Sequence, residues 1–253
     1  MKTDRLPFWV LDMLVAGSLL SRLPLPQLHE GAYERAARAV WAYSITGAVL
    51  GLIAGGFGFA LMGLGLPAGL AAGGLLAVLM LSTGGMHEDG LADTADGFWG
   101  GFDAQRRLAI MKDSHLGTYG LLALIVVTGL RWVAYAFLLP LGVWPVVAVA
   151  VLSRSVMPCL MVALPHARDT GLSHSVGRPG EVSVIAGLGL ALALAGASLG
   201  GIAILCLLVA LLTAAAMGLL ARAKIGGQTG DVLGAVQQLS EVAVLMVLVA
   251  VLT

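Results

Sequence analysis

The chain has 253 residues with 14 basic and 14 acidic side chains, so it is formally neutral; 59% of it is hydrophobic and only 11% charged. A soluble globular domain carries roughly a quarter charged residues, so this composition, with a mean hydropathy of +0.96, excludes that class and indicates an integral membrane protein. Zero net charge supplies no basic field, and no nucleic-acid partner is expected.

The first stretch, residues 6–21, is apolar apart from Asp12. The interruption at Asp12 and the lack of a small-residue cleavage site argue that this stretch, with residues 1–5 before it, is mature sequence rather than a signal peptide. The segment is short for a crossing and is expected to be an interfacial or re-entrant helix. Beyond it, no charged side chain occurs from Ala39 to His87 or from Val182 to Ala221, and each interval has room for two helices of about 20 residues. Expected spans are 41–62, 67–84, 118–139, 143–164, 182–197, 200–221 and 236–253. The fold class that follows is all-α: a polytopic transmembrane helix bundle of about seven spans plus the N-terminal helix.

The joints at 63–66, 140–142 and 198–199 are short and uncharged. The others carry Arg22, Arg35 and Arg38, then Arg106, Arg107 and Lys112, then Arg168 and Arg178, then Arg222 and Lys224. All four polar joints fall on one side, which the positive-inside rule makes cytoplasmic. Small residues three and four apart, as in "GAVLGLIAGGFGFALMG", allow close helix packing. Cys159 and Cys206 lie in apolar spans and read as packing residues. With no internal repeat or linker, residues 1–253 are expected to form a single integral membrane domain with catalytic cytoplasmic loops.

The stretch "HEDGLADTADGFWGG" (87–101) adds four carboxylates beside that apolar sequence. If it is helical, Asp89, Asp93 and Asp96 stand at i, i+4 and i+7 on one face. No Lys or Arg partners them at i+4, so a cation is needed to relieve their repulsion. Oxygen ligands without cysteine favour Mg²⁺ or Mn²⁺, and Mg²⁺ is commonly shared between one or two carboxylates and substrate phosphates. His87 beside them is a candidate base or ligand.

Three loops supply what a phosphorylated substrate requires: "RRLAIMKDSHLGTYG", "RDTGLSHSVGRPG" and "KIGGQTGDVLGA". Each mixes cations, hydroxyls and glycines and leads into a span, so three helix N-termini are expected to face the carboxylates. Candidate substrate-binding residues in them are Lys112, Asp113, Ser114, Gly117, Arg168, Gly227, Thr229 and Gly230. Arg131 and Arg154 lie inside spans, where an unpaired charge is costly. Either they hold substrate phosphates, for which Arg154 is the candidate, or they pair structurally, for example with Glu241.

The acidic stretch, "RRLAIMKDSHLGTYG", "GGQTGDVLGA", "SRLPLP" and "RDTGLSHSVGRP" together resemble the cobalamin synthase (adenosylcobinamide-GDP ribazoletransferase) family over nearly the whole chain. That family usually has "HLDG" where this chain has His87, Glu88, Asp89 and Gly90. The resemblance implies a Mg²⁺-dependent transferase of a bacterial inner or archaeal membrane, multi-pass, with its active site on the cytoplasmic side. Its substrates would be adenosylcobinamide-GDP and α-ribazole or α-ribazole 5′-phosphate, with GMP released; a homo-oligomer stays open. It implies Asp89, Asp93 and Asp96 as Mg²⁺ ligands, joined by Asp231, with His87 or one carboxylate taking the hydroxyl proton and Lys112 and nearby glycines binding phosphate. "DTADG" also resembles the start of the CDP-alcohol phosphotransferase signature, though Phe98-Trp99-Gly100 replace its next residues. A transporter, the remaining alternative, would place acidic residues near mid-membrane.

Overall fold

The computed structural model describes residues 6–252. Residues 1–5, read above as mature sequence, and position 253 of the last expected span lie outside it. Among the described residues the chain is helical throughout, and the one strand-like pairing is an isolated bridge between His166 and Gln228.

Helix α1 (Phe8–Leu20) has 13 residues, about 20 Å at 1.5 Å per residue, too short for a hydrocarbon core of about 30 Å. Its Asp12 is 2% exposed. It accepts two bonds from the Arg35 guanidinium, at 2.7 and 3.1 Å, and one from Trp41 Nε1 at 3.1 Å. The charge that interrupts the apolar run therefore straps the 3₁₀ turns Glu30–Arg35 and Ala39–Ala42 onto α1.

In chain order there follow α2 (Tyr43–Gly63), α3 (Ala68–Thr83), α4 (Met86–Gly100), α5 (Ala104–Ile110), α6 (Thr118–Leu138), α7 (Trp144–Ser155), α8 (Met157–Ala163), α9 (Leu172–Val176), α10 (Glu181–Leu199), α11 (Ile202–Ile225) and α12 (Gly230–Leu252). Six helical stretches are long and apolar enough to cross a membrane, and α3 with α4, bent by 86°, makes up to seven. The chain is a multi-pass membrane protein. Spans agree with the expected ones except at three places. The span expected at 67–84 is α3, whose 16 residues qualify as a crossing only together with the bent α4. The span expected at 143–164 breaks at Val156, because Pro158 in the first turn of α8 has no N–H to continue α7. The joint expected at 222–235 shrinks to Gly226–Thr229, since α11 runs to Ile225 and α12 starts at Gly230. Polar residues interrupted the hydropathy there without interrupting the helices.

Helix α7 is buried along nearly its whole length. Helix α2 lies against it with backbones in contact: a Cβ on Gly51 would meet Val147 Cα at 2.8 Å, and one on Gly47 would strike the Ala150 carbonyl. This is the small-residue packing expected for helices that gain no hydrophobic drive from lipid. Helices α6 and α11 instead expose Leu122, Ile125, Ile204, Leu208 and Leu212, the apolar surface that a bilayer solvates. The corner between α3 and α4 is made by Gly84 (φ +67°) and Gly85 (φ +68°). Two successive left-handed residues without Cβ strain turn the acidic helix sharply away from α3.

Candidate active site

Helix α4 presents two kinds of charge to two surroundings. Glu88 points inward. Arg131 of α6, 1% exposed, donates to Glu88 Oε1 at 2.8 Å, to Glu241 Oε1 at 2.8 Å and to Gln238 Oε1 at 2.7 Å. Tyr135 and Gln237 complete the shell of Glu241, at 2.8 and 2.6 Å, and Gln237 also reaches Ser153 of α7 at 3.1 Å. Of the two readings of Arg131, the structural one holds. These intramembrane charges are engaged with one another inside the bundle.

The three aspartates share one side of α4, as the i, i+4, i+7 spacing requires, about 80–140° around the helix from Glu88, but their surroundings differ. Asp96 is 8% exposed. Its two oxygens accept the backbone N–H groups of Gly117 and Gly120 at 2.8 and 2.9 Å. It thus caps the N-terminus of α6, which satisfies donors the helix leaves open. A Cβ on Gly117 or Gly120 would collide with that carboxylate, so these glycines are cut to fit Asp96. Asp89 is exposed and Asp93 half-buried. Neither carboxylate has a hydrogen-bond or ion-pair partner among the described residues. Both line one cleft with Met111, Lys112, Asp113, Ser114 and His115.

The first turn of α12 joins them because α4 and α12 cross at glycines. A Cβ on Gly90 would meet the Asp231 carbonyl oxygen at 2.7 Å, and one on Gly234 would meet His87 Cα at 3.3 Å. Asp93 consequently feels the negative charges of Asp89, Asp231 and Asp96 and the positive charge of Arg168. Asp231 itself pairs with Arg168 at 3.0 Å and accepts from Thr229 at 3.2 Å. Thr229 also caps α12, accepting the Val232 N–H at 3.3 Å.

The remaining expected residues divide. Lys112 faces the aspartates across the cleft, with Nζ 3.4 Å from Thr170, so the second and third polar loops meet there. Asp113 bonds His115 Nδ1 at 2.6 Å. That bond lifts the His115 imidazole above its usual range and holds the Asp113 carboxyl below its own. Gly117 offers its N–H to Asp96, and Gly227 packs on Pro165. Gly230 lines a separate apolar cavity with His87, Leu20, Met157 and Met161. His87, 1% exposed, is on the far side of α4 from the aspartates, its Nε2 without a partner. Arg154 is 2% exposed, with one bond to Ala150 O at 3.1 Å and a partnerless Nε. Neither His87 nor Arg154 lines the cleft.

Of the three helix N-termini expected at the site, those of α6 and α12 are there, each occupied by a carboxylate or hydroxyl of the chain. The third, that of α10, opens elsewhere: Arg178 and Gly180 line a cleft with Asp12, Arg35 and Arg38. Sequence reasoning missed the structural partners, namely Glu88, Gln237, Gln238 and Tyr135 around Arg131, Gly120 beneath Asp96, and Gln228. Gln228, 1% exposed, bonds Ser173 at 2.7 Å and His166 Nδ1 at 2.9 Å. Paired glutamines inside an apolar span were the available signal, because an amide in hydrocarbon needs a partner.

The fold and this cleft define a class: a multi-pass membrane enzyme with carboxylates and a lysine gathered where its polar loops meet. The chain belongs to the cobalamin-5-phosphate synthase family, whose family model matches residues 12–249, and is accordingly a transferase of cobalamin biosynthesis. A curated adenosylcobinamide-GDP ribazoletransferase from Sinorhizobium sp is 42% identical over 246 residues, 92% of this chain and 94% of that one. Proteins of the same name from Bradyrhizobium diazoefficiens and Brucella anthropi are 40% and 42% identical, each over 95% of this chain and 94% and 97% of their own. No solved structure matches the chain.

Proposed function

We propose that the chain joins α-ribazole, or its 5′-phosphate, to adenosylcobinamide-GDP at the α4 cleft, on the cytoplasmic side of a bacterial inner membrane. A ribose hydroxyl oxygen attacks the cobinamide-bound phosphorus, the phosphoanhydride bond breaks, and GMP leaves with the displaced oxygen. The observation that carries this reading is the meeting of Asp89, Asp93 and Lys112 in one cleft, in a chain that matches ribazoletransferases along almost its full length.

The residues present fit Mg²⁺ in one way. Among the described residues no three His, Cys, Asp or Glu side chains converge enough to hold a metal by themselves, and Mg²⁺ typically takes only one or two carboxylates besides substrate phosphate. Asp89 and Asp93 would hold it, with Asp231 alongside and Asp96 fixing the helix. When bound, the ion would neutralise phosphate charge and draw the diphosphate toward α4. Lys112 supplies a point charge for the phosphates. With His87 enclosed behind α4, a cleft carboxylate is the group placed to accept the hydroxyl proton.

The test is incubation of purified protein with adenosylcobinamide-GDP, α-ribazole and Mg²⁺ while GMP is measured. Release of GMP that requires all three supports the reading; release without α-ribazole, or none at all, overturns it.

A further inference from the structure

The reaction leaves the histidine of the cleft without a task. His115 has its Nδ1 fixed on Asp113 at 2.6 Å, which leaves Nε2 as the ring atom open to a ligand. Its side chain is 89% exposed. It lines both the cleft that holds Asp89 and Asp93 and the adjoining one that holds Asp96 and Tyr119. Among the described residues no other histidine lines either cleft: His87 is enclosed, and His166 is held by Gln228 with His174 edge-on at 5.2 Å. Beside the imidazole stand two exposed apolar surfaces, Leu116 at 56% and Tyr119 at 50%. An imidazole whose second nitrogen is tied to a carboxylate, set among apolar side chains on an open rim, is the arrangement that serves metal ligation, because the carboxylate fixes the tautomer and strengthens the donor. Soft or borderline transition metals take such a nitrogen.

The proposed substrate brings such a metal. A cobinamide has a cobalt in a planar macrocycle and no base of its own for the lower axial position, because the nucleotide loop that carries the base is what the reaction builds. The macrocycle is too large for an enclosed pocket and must lie on an open face.

We propose that His115 Nε2 binds the cobalt of the corrinoid substrate as its lower axial ligand, and so fixes the tethered diphosphate relative to Asp89 and Asp93. The inference rests on the ribazoletransferase reading above. The step is a ligand exchange without redox change: a cobalt–nitrogen bond forms as a lower-face water leaves. On product release that bond breaks, and the newly joined base takes the vacated face.

The experiment is electron paramagnetic resonance of cob(II)inamide with the whole protein in detergent, since that corrinoid carries no lower nitrogen. Wild type is expected to split each cobalt line into three by one nitrogen, and into two when the protein is grown on ¹⁵N-histidine. His115→Ala should abolish the splitting and His166→Ala should keep it. Asp113→Asn should require about tenfold more protein for half-maximal splitting. Unsplit lines at saturating protein, or splitting that survives His115→Ala, overturn the proposal. GMP release is followed in parallel: release with unsplit lines sinks the ligation alone, whereas split lines without release sink the transfer reading.

Discussion

Asp96 reaches across from α4 to hold Gly117 and Gly120 of α6 by their backbone N–H groups, at 2.8 and 2.9 Å. This relationship separates Asp96 from the two aspartates that share its face. Asp96→Asn removes the negative charge from a helix N-terminus and one of two acceptors, and should cost about 1–3 kcal/mol of stability. Gly120→Ala should do the same by pushing the carboxylate away. Thermal melts in detergent check both; a variant as stable as wild type would contradict the capping role.

Asp89→Asn and Asp93→Asn should behave in the opposite manner. Neither carboxylate is engaged within the protein, so stability without Mg²⁺ should stay level or rise as like charges are removed. GMP release should fall on the order of a hundredfold or more, if metal-assisted charge stabilisation supplies several kcal/mol of the barrier. Asp103→Asn is the control, because Asp103 caps α5 at 2.8 Å and asparagine caps equally well. Near-normal Mg²⁺-dependent release from both cleft variants would move the site elsewhere.

Glu241→Leu leaves Arg131 with Glu88 as its remaining carboxylate partner, in a site where Arg131 is 1% exposed. Breaking a buried pair from one side costs about 3–5 kcal/mol. The variant should melt lower and resist purification. Undiminished stability would show that the network is not what ties α12 to α6.

Gly51→Val should separate α2 from α7, since its first side-chain carbon would already lie 2.8 Å from Val147 Cα. Overpacking of this kind typically costs about 1–3 kcal/mol, with more where backbone rather than a side chain must move. Gly56→Val, on the open side of the same helix with nothing within 4 Å, is the matched control, and equal melting of the two would refute backbone contact.

Sidedness is tested with a single cysteine at Leu141, after Cys159 and Cys206 are replaced by alanine. The turn at Leu139–Leu141 should label from outside, and a cysteine at Ser114 only from the cytoplasm. The reverse pattern would place the cleft on the wrong face.

Much of this was legible in the sequence because lipid leaves few choices: uninterrupted apolar runs of sufficient length must be helices, and their parity places the charged joints together. The acidic face of α4 was legible for the same reason, since 3.6 residues per turn align Asp89, Asp93 and Asp96. What periodicity could not give was the partner of each charge. Asp96 and Asp89 look alike along the chain, and only the approach of Gly117 and Gly120 distinguishes a cap from a free carboxylate. Asp231 read as the end of a loop because hydropathy scores polarity, whereas it lies in the first turn of α12; the amide of Gln238, inside the expected span, is satisfied by Glu88 and Arg131. His87 was drawn to the aspartates by adjacency, yet two residues along a helix is a turn of about 200°, which puts it on the other side.

The two attachments of α4 have a mechanical meaning. Near its start Glu88 is bound to Arg131 and Gln238, and near its end Asp96 is bound to α6. A rod pinned at both ends does not swing. Adjustment to incoming substrate therefore falls to the other wall of the cleft, residues 111–116, whose links inward from Lys112 onward are a single bond to Thr170 and local turns. Hydrogen exchange should show slow amides through α4 and fast ones over 112–116, with the fast set slowing when the corrinoid binds. That pattern would make the carboxylates a stationary anvil and the lysine side the wall that adjusts.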